Sequence, residues 1–210
     1  MFTDFFRNLK EELKKDLPGE KAHVKMAPGI RDYFKPTEKT RKAGVLILLY
    51  PKNKELYVAF IQRTEYNGPH SGQISFPGGK SEIFDKNIID TALRESNEEI
   101  GINPDKVKIL GELTPLHIPV SNFIVSPVMG IYETTPIFKA EPKEVEKVLE
   151  IKLKDLLDPN NCTTKEFSYG DISFLAPIYN PNNITIWGAT AMILSEFLEV
   201  IEKNNPKFQV

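Results

Sequence analysis

Apolar positions recur with two different periods along this chain, and the changes of period divide it into elements. Near the start, Phe2, Phe5, Phe6, Leu9, Leu13 and Leu17 return every three or four residues with Lys and Glu between them. That is the stripe of an amphipathic helix, and Pro18-Gly19 stops it. The stripe needs a cover, and its own domain or a second copy of the chain is the preferred reading over a membrane surface. Residues 18–42 are polar and carry Pro28, Gly29 and Pro36. Residues 1–42 therefore read as a helix with an irregular lead-in, 43–203 as the compact domain, and 204–210 as a tail.

From Ala43 the pattern becomes strand-like. Gly44–Tyr50 and Leu56–Gln62 are two apolar runs flanking Pro51-Lys52-Asn53-Lys54-Glu55, a strand–turn–strand signature. Gln73–Phe76 is a short strand feeding the turn Pro77-Gly78-Gly79. Val107–Leu116, Ile124–Tyr132 and Val145–Leu153 are further strands, the last ending in a turn at Asp155-Leu156-Leu157. Asp171–Leu175 with Ile178 reads as a final hairpin. Trp187–Lys203 closes the chain as a helix, with Trp187, Thr190, Leu194, Phe197, Leu198 and Ile201 inward. A strand-rich centre with long helices predicts an α+β fold, helices covering a mixed sheet. Trp187 is read as a core anchor rather than a platform for a base.

Composition narrows the class. The chain has 210 residues, enough for one continuous core, and a net charge of −2, which gives no basic footprint for nucleic acid. A single cysteine, Cys162, forms no internal disulfide and suits a reducing compartment. No apolar run is long enough to cross a membrane. The expectation is a small cytoplasmic enzyme.

The chemistry concentrates in Arg94-Glu-Ser-Asn-Glu-Glu-Ile-Gly101. On a helix at about 100° per residue, Glu95, Glu98 and Glu99 fall within roughly a 100° arc. Ile89, Ala92, Leu93 and Ile100 take a separate, packed face. Carboxylates crowded in this way repel one another and call for a counter-ion. A hard divalent cation, Mg²⁺ (or Mn²⁺), takes oxygen ligands. Glu95 and Glu99, about 40° apart at i,i+4, are the direct candidates, with Glu98 as a second-tier ligand. The Gly78-Gly79 turn brings bare backbone beside them, so the Gly79 carbonyl joins the candidate ligands. Arg94 projects next to Glu98 and reads as an orienting salt bridge. One of the crowded carboxylates can also serve as the base. A merely solvated acidic surface helix is the plain alternative for an isolated segment of this kind.

Gly79, Arg94, Glu95, Glu98, Glu99, Gly101 and Ile102 occupy the positions of a box written G-x5-E-x7-R-E-U-x-E-E-x-G-U, with U apolar, and the chain thereby resembles the Nudix hydrolases. It departs from the box at three points. Asp85 stands in place of Glu, eight rather than seven residues separate it from Arg94, and Ser96 fills the first U position. Asp85 reads as a loop-stabilising acid, and the variant box looks like that of coenzyme A pyrophosphatase-type members. Arg63-Thr-Glu-Tyr-Asn-Gly-Pro-His70-Ser71-Gly72-Gln73-Ile-Ser-Phe76-Pro77-Gly78-Gly79 is similar to the segment that marks that subgroup. An Arg of its pattern is replaced here by Gly68, so Arg63 or His70 is the substitute for gripping phosphate, with Ser71 and Gln73 beside them.

The resemblance covers residues 43–200 and implies an α/β/α sandwich. It also implies a loop Glu after the box as an alternative base, for which Glu144 is the candidate. The implied reaction is metal-dependent hydrolysis of coenzyme A or acyl-CoA to 3′,5′-ADP and 4′-phosphopantetheine or its acylated form. Two alternatives stand beside it: hydrolysis of another nucleoside diphosphate derivative (ADP-ribose, NADH, a dinucleotide), and a non-catalytic nucleotide-binding module. The partner implied is the small-molecule substrate, with a homodimer admitted and neither nucleic acid nor membrane expected.

Overall fold

A computed structural model describes residues 2–29, 35–65, 71–169 and 172–204. Its elements in chain order are α1 (Thr3–Glu12), α2 (Glu20–His23), β1 (Arg41–Lys52), β2 (Glu55–Arg63), β3 (Ile74–Ser75), β4 (Gly78–Lys80) and α3 (Ile88–Ile100). Next come β5 (Val107–Glu112), β6 (Leu116–Ile118), β7 (Phe123–Tyr132), β8 (Val145–Lys152) and α4 (Leu153–Leu157). The chain then runs through β9 (Cys162–Tyr169), β10 (Ile172–Tyr179), β11 (Ile186–Trp187) and α5 (Gly188–Asn204).

β1 is the spine. It pairs antiparallel with β2 and β4 and parallel with β7, and β2 carries β3 and β8 on its other edge while β7 carries β5 and β6. The sheet is therefore mixed. Residues 46–50 of β1 are buried without alternation, as expected of a central strand covered on both faces. Leu46, Leu48 and Tyr50 point to a core shared with Ala92 and Ile100 of α3. Ile47 and Leu49 point to the opposite core, shared with Leu194, Phe197 and Ile201 of α5 and Leu9 of α1. Two cores on two faces make the expected α/β/α layering of an α+β fold.

Several elements differ from the pattern-based expectation. α1 ends at Glu12, where the backbone hydrogen bonds tighten to three-residue spacing (Lys14 to Glu11, Lys15 to Glu12). Leu13 and Leu17 nevertheless pack on the core together with Phe2, Phe5 and Phe6, so the stripe is covered by its own domain. The polar lead-in contains α2 and a helical turn at Val24–Met26, which bury Ala22, His23 and Met26. The run after the box breaks into β5 and β6, with a register shift between Ile109 and Gly111. The final hairpin is longer than its hydrophobic signal, because β9 is mostly exposed and polar yet pairs with β10 along its whole length. β9, β10 and β11 form a separate three-stranded sheet. Among the described residues no helix is long and apolar enough to cross a membrane.

Candidate active site

Two short segments hold the acidic helix in place. At its start Asn87 caps the chain, its side chain accepting from the Asp90 N–H, and at its end Gly101 adopts a left-handed conformation with φ 70°. On the sheet side, β4 lies antiparallel to β1 with Gly79 opposite Gly44. Gly44 lets the helix approach, since a Cβ there would lie 2.7 Å from the Ile88 carbonyl oxygen. Gly78 takes φ +147°, and a side chain on it would overlap the Gly44 carbonyl and the backbone of Val45. These glycines exist to bring backbone and carboxylates together.

Glu99 and Glu95 meet that backbone directly. Glu99 is 2 % exposed, and its Oε2 accepts the Gly78 N–H at 2.7 Å. Arg63 Nη1, from the end of β2, stands 3.7 Å from Glu99 Oε1. Burial pushes the Glu99 carboxyl up to about 8; the Gly78 N–H and Arg63 oppose this, while Glu95 and Glu144 add to it. Glu95 is partly buried, and its carboxylate occupies the place where a Gly79 side chain would be. Burial raises its pKa, Arg94 lowers it, and the charges of Glu98 and Glu144 raise it again. Glu144 is exposed, but its backbone carbonyl accepts from Thr64 N–H, which ties the β7–β8 connection to the end of β2.

Arg94 is the organiser. Its Nε and Nη2 reach the two Asp85 oxygens at 2.9 and 3.0 Å, and Nη2 also reaches the Lys80 carbonyl at 3.0 Å. Its Nη1 donates to Glu95 and Glu98 at 2.9 and 3.0 Å. Asp85 in turn accepts from Thr91 Oγ1 and the Glu82 N–H, and Arg94 holds its carboxyl well below the usual carboxylate range. Asp85 thus pins the loop to the helix. Glu98, by contrast, is exposed.

The sequence candidates sort accordingly. The structure brings together Arg63, Gly79, Arg94, Glu95 and Glu99, with Glu144 close enough for its charge to act on both glutamates. Ser71 and Gln73 lie on the segment leading into β3, where the Gln73 carbonyl accepts the Arg63 N–H at 3.0 Å. His70 and Gly68 lie outside the described residues. Trp187 is not a core anchor. It is only partly buried and stacks on Phe167 with ring centroids 4.3 Å apart, because β11 lays it on the three-stranded sheet rather than in α5. Sequence reasoning also left unnoticed that Arg63 Nε is buried with no hydrogen-bond partner among the described residues. It borders an open cleft of about 370 Å³ lined by Gln62, Arg63, Thr64, Glu65 and Glu146.

A divalent cation fits this donor set. Among the described residues no three acidic, imidazole or thiol side chains are already gathered as a metal-binding group, and Arg94 holds an oxygen each of Glu95 and Glu98 in its place. The donors are nonetheless hard oxygens beside bare backbone, and burial leaves Glu99 without a full counter-charge, which is the environment that a cation stabilises.

Comparison with known proteins agrees. The NUDIX domain model matches residues 40–168. The chain is 31% identical over 166 residues to the Nudix hydrolase NudL of Photorhabdus laumondii, covering 79% of this chain and 88% of that one. It is 33% identical over 206 residues to the chloroplastic Nudix hydrolase 22 of Arabidopsis thaliana, covering 95% of this chain and 66% of the plant protein. The fold is similar to that of the Nudix hydrolase RenU of M. smegmatis, with a TM-score of 0.52 at 12% identity over 85% of this chain and 95% of that one. A domain match over most of the chain, and relatives above 30% identity spanning 79% and 95% of it, agree with the carboxylate helix and its glycine turn: the chain belongs to the Nudix family and is a pyrophosphohydrolase acting on a nucleoside diphosphate derivative.

Proposed function

We propose that the substrate is coenzyme A or an acyl-CoA, cleaved at the diphosphate to 3′,5′-ADP and 4′-phosphopantetheine or its acylated form. Nudix hydrolases use divalent metal ions; Mg²⁺, with Mn²⁺ as the alternative, is proposed here. Such an ion, when bound, neutralises diphosphate oxygens and acidifies a water. Glu95 and Glu99 are the side chains proposed to hold it, with the Gly79 carbonyl and Glu98 completing the oxygen set. Arg94, fixed by Asp85, keeps Glu95 and Glu98 oriented. Glu144 or one of the helix carboxylates takes the proton of the attacking water.

The observation that carries the reaction is the pairing of a buried carboxylate, Glu99, with a second, Glu95, laid on the bare backbone of Gly79. Arg63 supports an anionic substrate. Its guanidinium stands near Glu99 at a long 3.7 Å, and its buried Nε lacks a partner among the described residues. A phosphate oxygen satisfies such a donor. The segment from Arg63 to Gly79 supports coenzyme A in particular. Gly68, standing where that pattern has Arg, favours a second reading: hydrolysis of ADP-ribose, NADH or a dinucleotide. The single exposed cysteine, Cys162, supports a reducing compartment such as the cytoplasm.

The test is a panel of coenzyme A, acyl-CoA, ADP-ribose, NADH and dinucleotides incubated with Mg²⁺, with products identified by mass. Coenzyme A should be cleaved, and Glu99→Gln should lower turnover by at least about a hundredfold while the chain stays folded by circular dichroism. Unchanged turnover in that variant removes Glu99 from the metal site. Cleavage of ADP-ribose but not coenzyme A selects the second reading, and cleavage of nothing returns the chain to the nucleotide-binding class.

A further inference from the structure

The three-stranded sheet carries an aromatic surface outside the carboxylate cluster. Phe174 and Phe167 are cross-strand partners, and Trp187 is the partner of Ile178. Alternation along a strand places Phe167, Phe174, Ala176, Ile178 and Trp187 on one face. The small Ala176 leaves room between strands, and Trp187 stacks on Phe167 at 4.3 Å with 23° between the ring planes. Phe174 stacks on Phe167 at 5.9 Å and 21°. All three rings are partly exposed, and none belongs to either core.

This surface adjoins the substrate segment. β11 packs against β3, and Thr190 Oγ1, on the first turn of α5, donates to the Ile74 carbonyl at 3.1 Å. β3 leads through Phe76 and Pro77 to Gly78 and Gly79, the backbone that seats Glu95 and Glu99. Next to Trp187, no atom beyond its chain neighbours and its own helix backbone lies within 4 Å of where a Gly188 Cβ would stand, so the turn from β11 into α5 is open there among the described residues. A cation borders the rings: Lys165, exposed, with Nζ 5.8 Å from the centre of Phe167.

We propose that the Trp187–Phe167–Phe174 surface is the platform on which the nucleobase of the substrate stacks while its diphosphate lies at Glu95 and Glu99. The proposal rests on the nucleoside diphosphate reading of the site. Partly exposed, stacked rings extend naturally to a further flat ring, and they take a base without regard to its hydrogen-bonding edge. Lys165 adds a charge complementary to a nucleotide phosphate. That charge, together with the contact of β11 and α5 with the strand that leads to Gly78 and Gly79, favours a nucleotide over a second copy of the chain.

Trp187 is the only tryptophan in the chain, so its emission reports on the platform directly. Without divalent cation, 3′,5′-ADP and AMP should quench it saturably, while inorganic pyrophosphate, which lacks a base, should not. Phe167→Ala keeps the reporter and should weaken the nucleotide titration about tenfold. In turnover, Trp187→Ala should raise KM for coenzyme A, or for ADP-ribose if that is what the panel returns, about tenfold with kcat within about threefold. Trp187→Phe should recover most of the loss. Emission indifferent to both nucleotides, or equally responsive to pyrophosphate, overturns the proposal, as does an unchanged KM in a folded Trp187→Ala. A wild type that hydrolyses no diphosphate defeats the underlying reading instead, and the fluorescence titration still judges the platform. If Trp187→Ala halves the mass of the particle in solution, the surface is an interface between copies and the proposal falls.

Discussion

Gly79 carries no side chain because the Glu95 carboxylate lies where one would project. The far end of a glutamate can swing aside, so a methyl at this position displaces the carboxylate rather than the backbone. Gly79→Ala should therefore cost activity far more than stability. We expect kcat to fall at least about tenfold, while the melting temperature drops by no more than about 3 °C. Gly44→Ala is the contrasting case. Its Cβ would meet the Ile88 carbonyl oxygen at 2.7 Å and the Ala92 nitrogen at 3.1 Å, both backbone atoms, and relief requires moving α3 off the sheet. That variant should lose stability first. Melting curves run beside steady-state assays separate the two; a Gly79→Ala protein that melts as early as Gly44→Ala would show that Glu95 cannot yield. The same scale explains Asp85. One methylene shorter than the glutamate of the box, it still reaches Arg94 through both oxygens.

α2 and α5 are joined by a buried carboxylate that no sequence pattern announced. Glu196 is fully buried. Its oxygens accept from Gly19 N–H at 3.0 Å, from Thr114 N–H at 3.1 Å and from Thr114 Oγ1 at 2.6 Å. His23 Nε2 lies 2.9 Å away. Burial pushes the Glu196 carboxyl up, but His23, Thr114 and the Gly19 N–H together outweigh it and leave its pKa lowered. The folded chain then binds fewer protons on this group than the unfolded chain. Its stabilisation is fully present above the ordinary value of 4.5 and is lost as pH falls through the depressed folded value. Glu196→Gln should remove that part of the acid-side slope. At pH 7 it should also lower stability by about 2 kcal/mol, or roughly 4–8 °C in melting temperature. Melting wild type and variant between pH 3 and 7, bounds of about the carboxylate range, checks both statements. Parallel curves would mean that another group governs acid unfolding.

At the scale of the whole molecule, what was legible was local and what was missed was long-range. The glycine turn, the acidic helix and the central strands each carry their signal within a few residues, so Glu95, Glu99, Gly79 and Arg94 could be named and β1, β2 and α3 placed. β9 was missed because its polar residues pair with β10 without facing a core. Trp187 was misplaced because a helical stripe was extended one residue back across Gly188, which begins α5 in a left-handed conformation with φ +61°. The orphan Nε of Arg63 and the four hydrogen bonds of Glu196 to Gly19, His23 and Thr114 depend on residues far apart in the chain, which periodicity does not see. The N-terminal stripe shows both sides of this. Its amphipathic face was plain, but only the fold reveals that Leu9 is 0 % exposed in the core beneath α5, on the face of the sheet opposite α3. That placement separates stability from catalysis. Leu9→Ala should leave a cavity costing about 3 kcal/mol, seen as a melting temperature lower by roughly 6–12 °C. Because the carboxylate helix packs on the other face, kcat and KM well below the transition should stay within about twofold of wild type. A Leu9→Ala enzyme that melts normally would detach α1 from the core. One that melts early and also loses kcat at low temperature would show that the two faces of the sheet are coupled through β1.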